Sequence, residues 1–311
     1  GLAFVAGAAL LGYAALGQIF GRPAPIFASV LWLVALPLVV EGGNLTEQYA
    51  LLFQFAALFF FQREERLDRS RRRTLWQFLI GVSAAGALLL RPNLVGVHAS
   101  IAVYVVLSRI KRNAWRDLLD SGLAMAAGFL AVAGVTAAFF ASQGALASMV
   151  QAMFIYNLQY SSTPLLRHVR SVFVGLRQLS AISLVAIPAW LVASLRTTTA
   201  DGEVRQNSLL QVALLATPVE LVMSAVSGRS FPHYYMAWLP TLAVLVAFFS
   251  SALLARIQAP NITLFGHPVA ARTVWSAGLV LAVGLVPLAE TADSVLRVSR
   301  EEKVIAAVVE Y

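Results

Sequence analysis

Apolar residues run along the chain in long blocks that short polar clusters interrupt. Helices that cross a bilayer need about 20 apolar residues, so blocks approaching this length predict membrane-spanning helices. Transmembrane β-strands would alternate in segments of about ten residues, and no such alternation is present. The pattern predicts an all-α, polytopic transmembrane helical bundle. We trace about ten apolar segments, at 1–20, 24–40, 48–61, 75–91, 93–108, 118–141, 179–195, 208–226, 236–255 and 273–289.

The amino-acid composition supports a membrane protein and excludes several kinds of functional site. Hydrophobic residues make up 59% of the 311 residues and charged residues only 12%, about half of the charged fraction of a soluble domain. The chain has no cysteine, which excludes disulfides, thiolate metal sites and a cysteine nucleophile. The net charge of +8 is better explained by loop Lys and Arg that set membrane orientation than by nucleic-acid binding.

Basic residues divide unevenly between the two alternating sets of connections. Fifteen fall in one set, most of them at 63–73 and 109–116, and eight fall in the other. Because the richer set belongs in the cytoplasm, we expect a multi-pass protein of the cell's plasma (inner) membrane, with its site facing the periplasm or exterior. The outward connections are then those at 41–49, 91–93, 142–178 and 227–235, together with the C-terminal tail.

The outward side collects polar side chains that an apolar chain would otherwise avoid. Guanidinium groups bind phosphate oxygens in a forked geometry, a carboxylate such as Glu47 can act as a general base, and tyrosines offer an apolar face with a hydroxyl. We therefore predict an outward cavity for a lipid-linked phosphate. Its candidate residues are Glu47 as the catalytic group, with Arg91, Asn157, Tyr160, Glu220, Arg229, His233, Tyr234 and Tyr235 as substrate-binding groups.

Structural explanations for the same residues stay open. Tyr234 and Tyr235 could be ordinary aromatic residues of the membrane interface. The two arginines, Arg91 and Arg229, could pair with Glu47 and Glu220 to neutralise charge at membrane depth. The run at 63–73 is interpreted as a solvated cytoplasmic loop, and the 142–178 segment as an interfacial amphipathic helix.

Several of these stretches together resemble bacterial glycosyltransferases of the GT-C fold, the family of protein O-mannosyltransferase-like and aminoarabinose-transferase-like enzymes. "GRSFPHYYMAWLP" (228–240) resembles a late periplasmic-loop motif, and "GGNLTEQYALLFQFAALFFF" (42–61) an acidic element that opens a span. "ALLLRPNLVG" (87–96) resembles the family's Arg-Pro hairpin, and "FIYNLQYSS" (154–162) its Asn-x-x-Tyr periplasmic segment. The last residues, "SREEKVIAAVVEY", are similar to the helix that opens its C-terminal domain.

The resemblance implies an inverting enzyme that transfers a sugar from a polyprenyl-phosphate donor, its co-substrate, to a lipid, glycan or protein acceptor. By the same resemblance, Glu47 lies near the sugar, Arg91, Arg229, His233 and Tyr234 hold the donor phosphate, and Asn157 and Tyr160 belong to a covering loop. No protein cofactor is implied with certainty. The outer carboxylates could hold a divalent metal with the phosphate, although no ligand cluster of diagnostic spacing is present.

One departure from the family pattern concerns its main catalytic carboxylate, an aspartate in the first extracytoplasmic loop. The five aspartates of this chain, Asp68, Asp117, Asp120, Asp201 and Asp293, all lie elsewhere. We therefore expect a fragment without either end, in which 1–289 are a core lacking its first span and outer loop. Residues 290–311 would then begin a C-terminal extracytoplasmic segment. If the chain is complete, either Glu47 is the base or the protein is inactive.

Two other functional classes are weighed against the enzyme. A transporter or flippase of a lipid-linked saccharide would be expected to show internal repeats and charges at the midplane, and the sequence shows neither. A purely structural membrane subunit would leave the one-sided polar cluster unexplained.

Overall fold

The computed structural model describes residues 1–40, 45–67, 71–156, 164–198, 207–256, 262–264 and 267–269. These residues are almost entirely helical. The helices are α1 Leu2–Gly17, α2 Ala24–Ala35, α3 Thr46–Glu65, α4 Arg71–Leu90, α5 Gly96–Lys111, α6 Trp115–Ser142, α7 Leu146–Val150, α8 Leu165–Gln178, α9 Ser180–Thr198, α10 Ser208–Ala225 and α11 Leu239–Arg256. Short 3-10 turns cover Leu36–Leu38, Pro92–Leu94 and Pro232–Trp238, and a π-helical turn covers Gln151–Ile155. Two short antiparallel strands, β1 Ile262–Leu264 and β2 His267–Val269, follow α11.

The breaks between helices follow from local backbone chemistry. Pro92 and Pro232 each open a 3-10 turn, a position where the missing backbone N–H of proline costs little. Asn207 caps α10 by accepting a hydrogen bond from the Leu210 N–H at 3.0 Å, which satisfies one of the donors that a helix start leaves open. Ser180 has φ +44°, and there the chain bends by 112° between α8 and α9.

Four helices of the described residues are long and apolar enough to cross a membrane, or five if the bent pair α8–α9 is one span. The prediction of about ten spans is therefore wrong. A helix rises 1.5 Å per residue and the hydrocarbon core is about 30 Å thick, so the helices Leu2–Gly17 and Ala24–Leu38 are too short to span upright. The segment 273–289 lies outside the described residues. The four long helices are Arg71–Leu90, Trp115–Ser142, Ser208–Ala225 and Pro232–Ala255.

Helix α3 runs through the bundle and defines its two ends. At its start, Glu47 pairs with Arg91, and at its finish, Glu64 pairs with Arg73. We call these the Arg91 end, where α4 finishes and the turn Pro232–Trp238 lies, and the Arg73 end, where α4 begins and α5 finishes. Helix α1 lies parallel to α3, since Phe4 near its start contacts Tyr49 near the start of α3, and the Gln18 carbonyl after its end accepts from Arg66 after the end of α3.

Helices α4 and α6 pack in parallel at very close range. Polar pairs align them near the Arg73 end, with Arg73 3.6 Å from Asp117 and Gln77 donating to Ser121 at 2.7 Å. One turn further on, a methyl group added to Gly81 would overlap the carbonyl of Met125. A missing side chain thus lets the two backbones touch, which is the usual way that helices associate within a membrane.

We predict that Gly81→Ala lowers the stability of the protein by about 1–3 kcal/mol, because the added methyl group forces α4 and α6 apart. Thermal unfolding in detergent measures the loss. The matched control is Gly134→Ala on α6, where an added methyl group meets nothing within 4 Å and the better helix propensity of alanine predicts no loss. Equal melting temperatures for the two variants would contradict the close packing.

Candidate functional site

The Arg91 end holds a three-residue cluster assembled from distant parts of the chain. Glu47 comes from the first turn of α3, Arg91 follows α4, and Tyr234 lies in the 3-10 turn before α11. The Arg91 Nη1 donates to Glu47 Oε1, and its Nη2 donates to the Tyr234 hydroxyl at 3.0 Å. The guanidinium carbon also lies 4.5 Å from the centre of the Tyr234 ring, close enough for a cation–π contact. We call Glu47, Arg91 and Tyr234 the Arg91 cluster.

The Arg91 cluster keeps a cation at the rim of the bundle. Burial works against the charged form, but the Glu47 carboxylate and the Tyr234 hydroxyl outweigh it and raise the pKa of Arg91 above its ordinary value. The Glu47 side chain is only 2% exposed, whereas that of Arg91 is 25% exposed. A guanidinium has five N–H donors, and the hydrogen bonds to Glu47 and Tyr234 use two of them. The cluster therefore presents a fixed cation with remaining donor capacity.

Glu220 forms a separate, fully buried site in α10. One of its carboxylate oxygens accepts from the Val97 N–H at 2.8 Å and from Gln54 Nε2 at 3.1 Å. A methyl group added to Gly96 would lie 2.6 Å from the carboxyl carbon of Glu220. A side chain at position 96 would therefore collide with the Glu220 carboxyl group. The ion pair between Arg91 and Glu47 that the structural explanation expects is present. Glu220 instead contacts an amide side chain and a backbone N–H, not an arginine.

The other predicted site residues near Tyr234 are Arg229, His233 and Tyr235. Contacts between α8 and the turn Pro232–Trp238 help to position them. Ser171 of α8 donates to the Arg229 carbonyl at 3.0 Å and lies 3.3 Å from the Tyr235 hydroxyl. Tyr235 is fully buried, whereas the Arg229 side chain is exposed. The His233 ring meets the Tyr234 ring edge-on, with centroids 4.6 Å apart. His233 therefore borders the Arg91 cluster, and Tyr235 anchors the turn.

Two predicted site residues, Asn157 and Tyr160, lie outside the described residues. Within the described part of the chain, no group of three or more His, Asp or Glu side chains is arranged to hold a metal ion. A cavity of about 410 Å³ lies at the same end of the bundle as Arg91. Its lining is mostly apolar and is drawn from α4, α6, α7 and the π-turn, at Leu89, Thr136, Phe140, Ala145, Ser148, Met149, Ala152 and Met153.

Sequence reasoning missed a buried ionic network at the opposite, Arg73 end. Glu64 accepts from Arg73 Nε at 2.7 Å, from Arg109 at 3.0 Å and from Gln77 at 2.9 Å. Arg109 also pairs with Glu65 at 3.2 Å. The run at 63–73 was interpreted as a solvated loop, yet Glu64 and Arg73 are buried.

One signal in the sequence could have revealed this network. The core-facing residues Glu47, Gln54 and Phe61 follow each other at intervals of seven, and Glu64 continues the same helical face three residues later. This spacing keeps side chains on one side of a helix.

Comparison with known proteins gives no relative: no protein-family model, no curated protein and no solved structure matches this chain.

We predict that Glu64→Gln destabilises the protein by about 1.5–3 kcal/mol, because it removes the carboxylate that Arg73 and Arg109 share and leaves them only Asp117 and Glu65 as charged partners. The midpoint of unfolding in detergent measures the effect. Asp120→Asn is the control, since it removes one exposed carboxylate at the same end and should stay within about 0.5 kcal/mol of the parent protein. Equal stability of both variants would show that the network carries no folding energy.

Proposed function

We propose that the protein is a membrane glycosyltransferase that takes a sugar from a polyprenyl-phosphate donor and passes it to a lipid, glycan or protein hydroxyl. The observation that carries the proposal is the Arg91 cluster. It combines a fixed cation, a carboxylate and a phenol at one end of an apolar bundle, which are the groups required to bind a lipid phosphate and activate an acceptor.

The position of Arg91 supports a role in phosphate binding. A cation that served only to neutralise Glu47 would need no exposed surface, because that carboxylate is itself buried. Arg91 instead keeps a quarter of its side chain exposed and retains donors that suit phosphate oxygens. The exposed Arg229 side chain, after α10, adds a second cation outside the same aromatic turn.

The surroundings of Arg91 suit a lipid donor better than a soluble one. An apolar cavity of about 410 Å³ that includes Leu89 lies at the same end of the bundle, and none of the Arg91 cluster lines it. Apolar lining of this kind accepts a hydrocarbon chain while the headgroup remains at the polar rim. Helix α8 is amphipathic: Leu166 and Phe173 are exposed on one side and Arg167 and Arg170 on another, the pattern of helices that lie in a membrane interface.

In the proposed reaction, Arg91 pairs first with the Glu47 carboxylate and then with the donor phosphate. In the unliganded protein Glu47 neutralises Arg91. When the donor phosphate takes the guanidinium, the Glu47 carboxylate is released and can accept the proton of the acceptor hydroxyl. The acceptor oxygen loses its proton to Glu47 and attacks the anomeric carbon, whose bond to the phosphate oxygen breaks with inversion. Arg91 stabilises the negative charge that develops on the leaving polyprenyl phosphate.

We predict that the protein, reconstituted in vesicles with radiolabelled polyprenyl-phosphate sugars, transfers label to an extractable acceptor. The double variant Glu47→Gln/Arg91→Gln should abolish transfer while remaining folded, because it removes both charges of the pair together and does not leave the buried Glu47 carboxylate without its cation. Movement of labelled donor between leaflets without transfer would replace the enzyme by a flippase. Unchanged transfer by the double variant would contradict the role of the Arg91 cluster.

Adjacent tyrosines provide a sharper test of the phosphate site. We predict that Tyr234→Phe raises the KM for the donor roughly fivefold or more, because it removes one hydrogen bond of about 1 kcal/mol that orients Arg91. Tyr235→Phe removes a hydroxyl that contacts Ser171 and should leave KM unchanged. Steady-state kinetics with both variants decides the question, and an equal rise in KM for the two would argue against a specific role for Tyr234.

A further inference from the structure

A cavity of about 570 Å³ lies at the Arg73 end, far along α5 from the Arg91 cluster. It opens between the last turns of α5 and the first turns of α10, two helices that pack against each other. Its walls combine cationic, polar and apolar side chains, at Tyr104, Leu107, Ser108, Lys111, Arg112, Gln211, Leu214 and Leu215. None of these residues takes part in the proposed sugar transfer.

The charges around this cavity favour an anion. Lys111 and Arg112 both line it, and no carboxylate does so among the described residues. The two acidic side chains at the end of α3, Glu64 and Glu65, are held by Arg109 at 3.0 and 3.2 Å. Glu65 also interacts electrostatically with Arg112, so two lining cations face one nearby carboxylate, and the remaining positive charge favours phosphate oxygens.

The apolar part of the lining distinguishes a lipid from a soluble anion. Leu107, Leu214 and Leu215 form one wall, and Leu107 is 57% exposed at the perimeter of the bundle. Helix α10, which supplies two of these leucines, is one of the helices long and apolar enough to span a membrane. A soluble phosphate would gain nothing from this wall, whereas an acyl chain would cover it.

We propose that this cavity binds an anionic phospholipid, with its phosphate between Lys111 and Arg112 and the start of an acyl chain along Leu107, Leu214 and Leu215. The predicted orientation puts the Arg73 end in the cytoplasm, where anionic lipids are enriched and basic pockets between membrane helices bind their headgroups. The bound lipid bridges α5 and α10 and is a structural ligand at the opposite end of the bundle from the donor site.

Native mass spectrometry of the purified protein, titrated in mild detergent with phosphatidylglycerol or phosphatidylcholine, tests the proposal. Phosphatidylglycerol should be retained in preference, and Lys111→Gln/Arg112→Gln should weaken its binding about tenfold. Arg71→Gln/Arg72→Gln removes two exposed cations at the same end that do not line the cavity, and it should bind as the parent does. Equal losses in both double variants, or no preference between the lipids, would overturn the proposal.

A second pair of variants tests the apolar wall without changing charge. Leu107→Trp narrows the cavity from an exposed position, so it should reduce bound phosphatidylglycerol while the protein stays folded. Val103→Trp places the same bulk on the same helix one turn earlier, where the residue is exposed but does not line the cavity. Identical binding by these two variants would mean that the lipid, if held at all, lies elsewhere.

Discussion

The architecture depends on one constraint: an ionisable group buried in an apolar helical bundle needs either a counter-charge or hydrogen-bond donors to satisfy it. Helix α3 carries a carboxylate near each end, Glu47 in its first turn and Glu64 in its last. Each carboxylate holds an arginine from a neighbouring segment, Arg91 at one end and Arg73 at the other. Because an unpaired charge costs several kcal/mol in such a setting, these pairs fix the register of α4 and α5 against α3.

The two ends meet this constraint in different ways, and the difference points to function. At the Arg73 end, the side chains of Arg73 and Arg109 are 11% and 6% exposed and share one carboxylate, an arrangement suited to holding helices together. At the Arg91 end, the cation is 25% exposed and lies against the ring of Tyr234. The first arrangement is closed, while the second leaves part of the arginine side chain exposed.

The apolar blocks predicted the helical class and most helix positions. Blocks 118–141 and 208–226, for example, correspond to α6 and α10. It overestimated the number of spans, because apolar composition does not reveal that Leu2–Gly17 is too short to cross alone. The alternation of connections between the two sides of the membrane predicted that Glu47, Arg91 and Tyr234 lie at the same end of the bundle. The contact of Gln54 with Glu220, across 166 positions, depends on tertiary packing and the absence of a side chain at Gly96, which no local pattern encodes.

Phosphate binding by Arg91 can be measured without knowledge of the sugar or the acceptor. Binding of sugar-free polyprenyl phosphate to the purified protein, followed by ³¹P NMR in detergent, isolates this step. We expect saturable binding that shifts the phosphorus resonance and is lost in Glu47→Gln/Arg91→Gln. A resonance that stays unchanged in the parent protein, or shifts equally in the double variant, would make the Arg91 cluster a structural ion pair only.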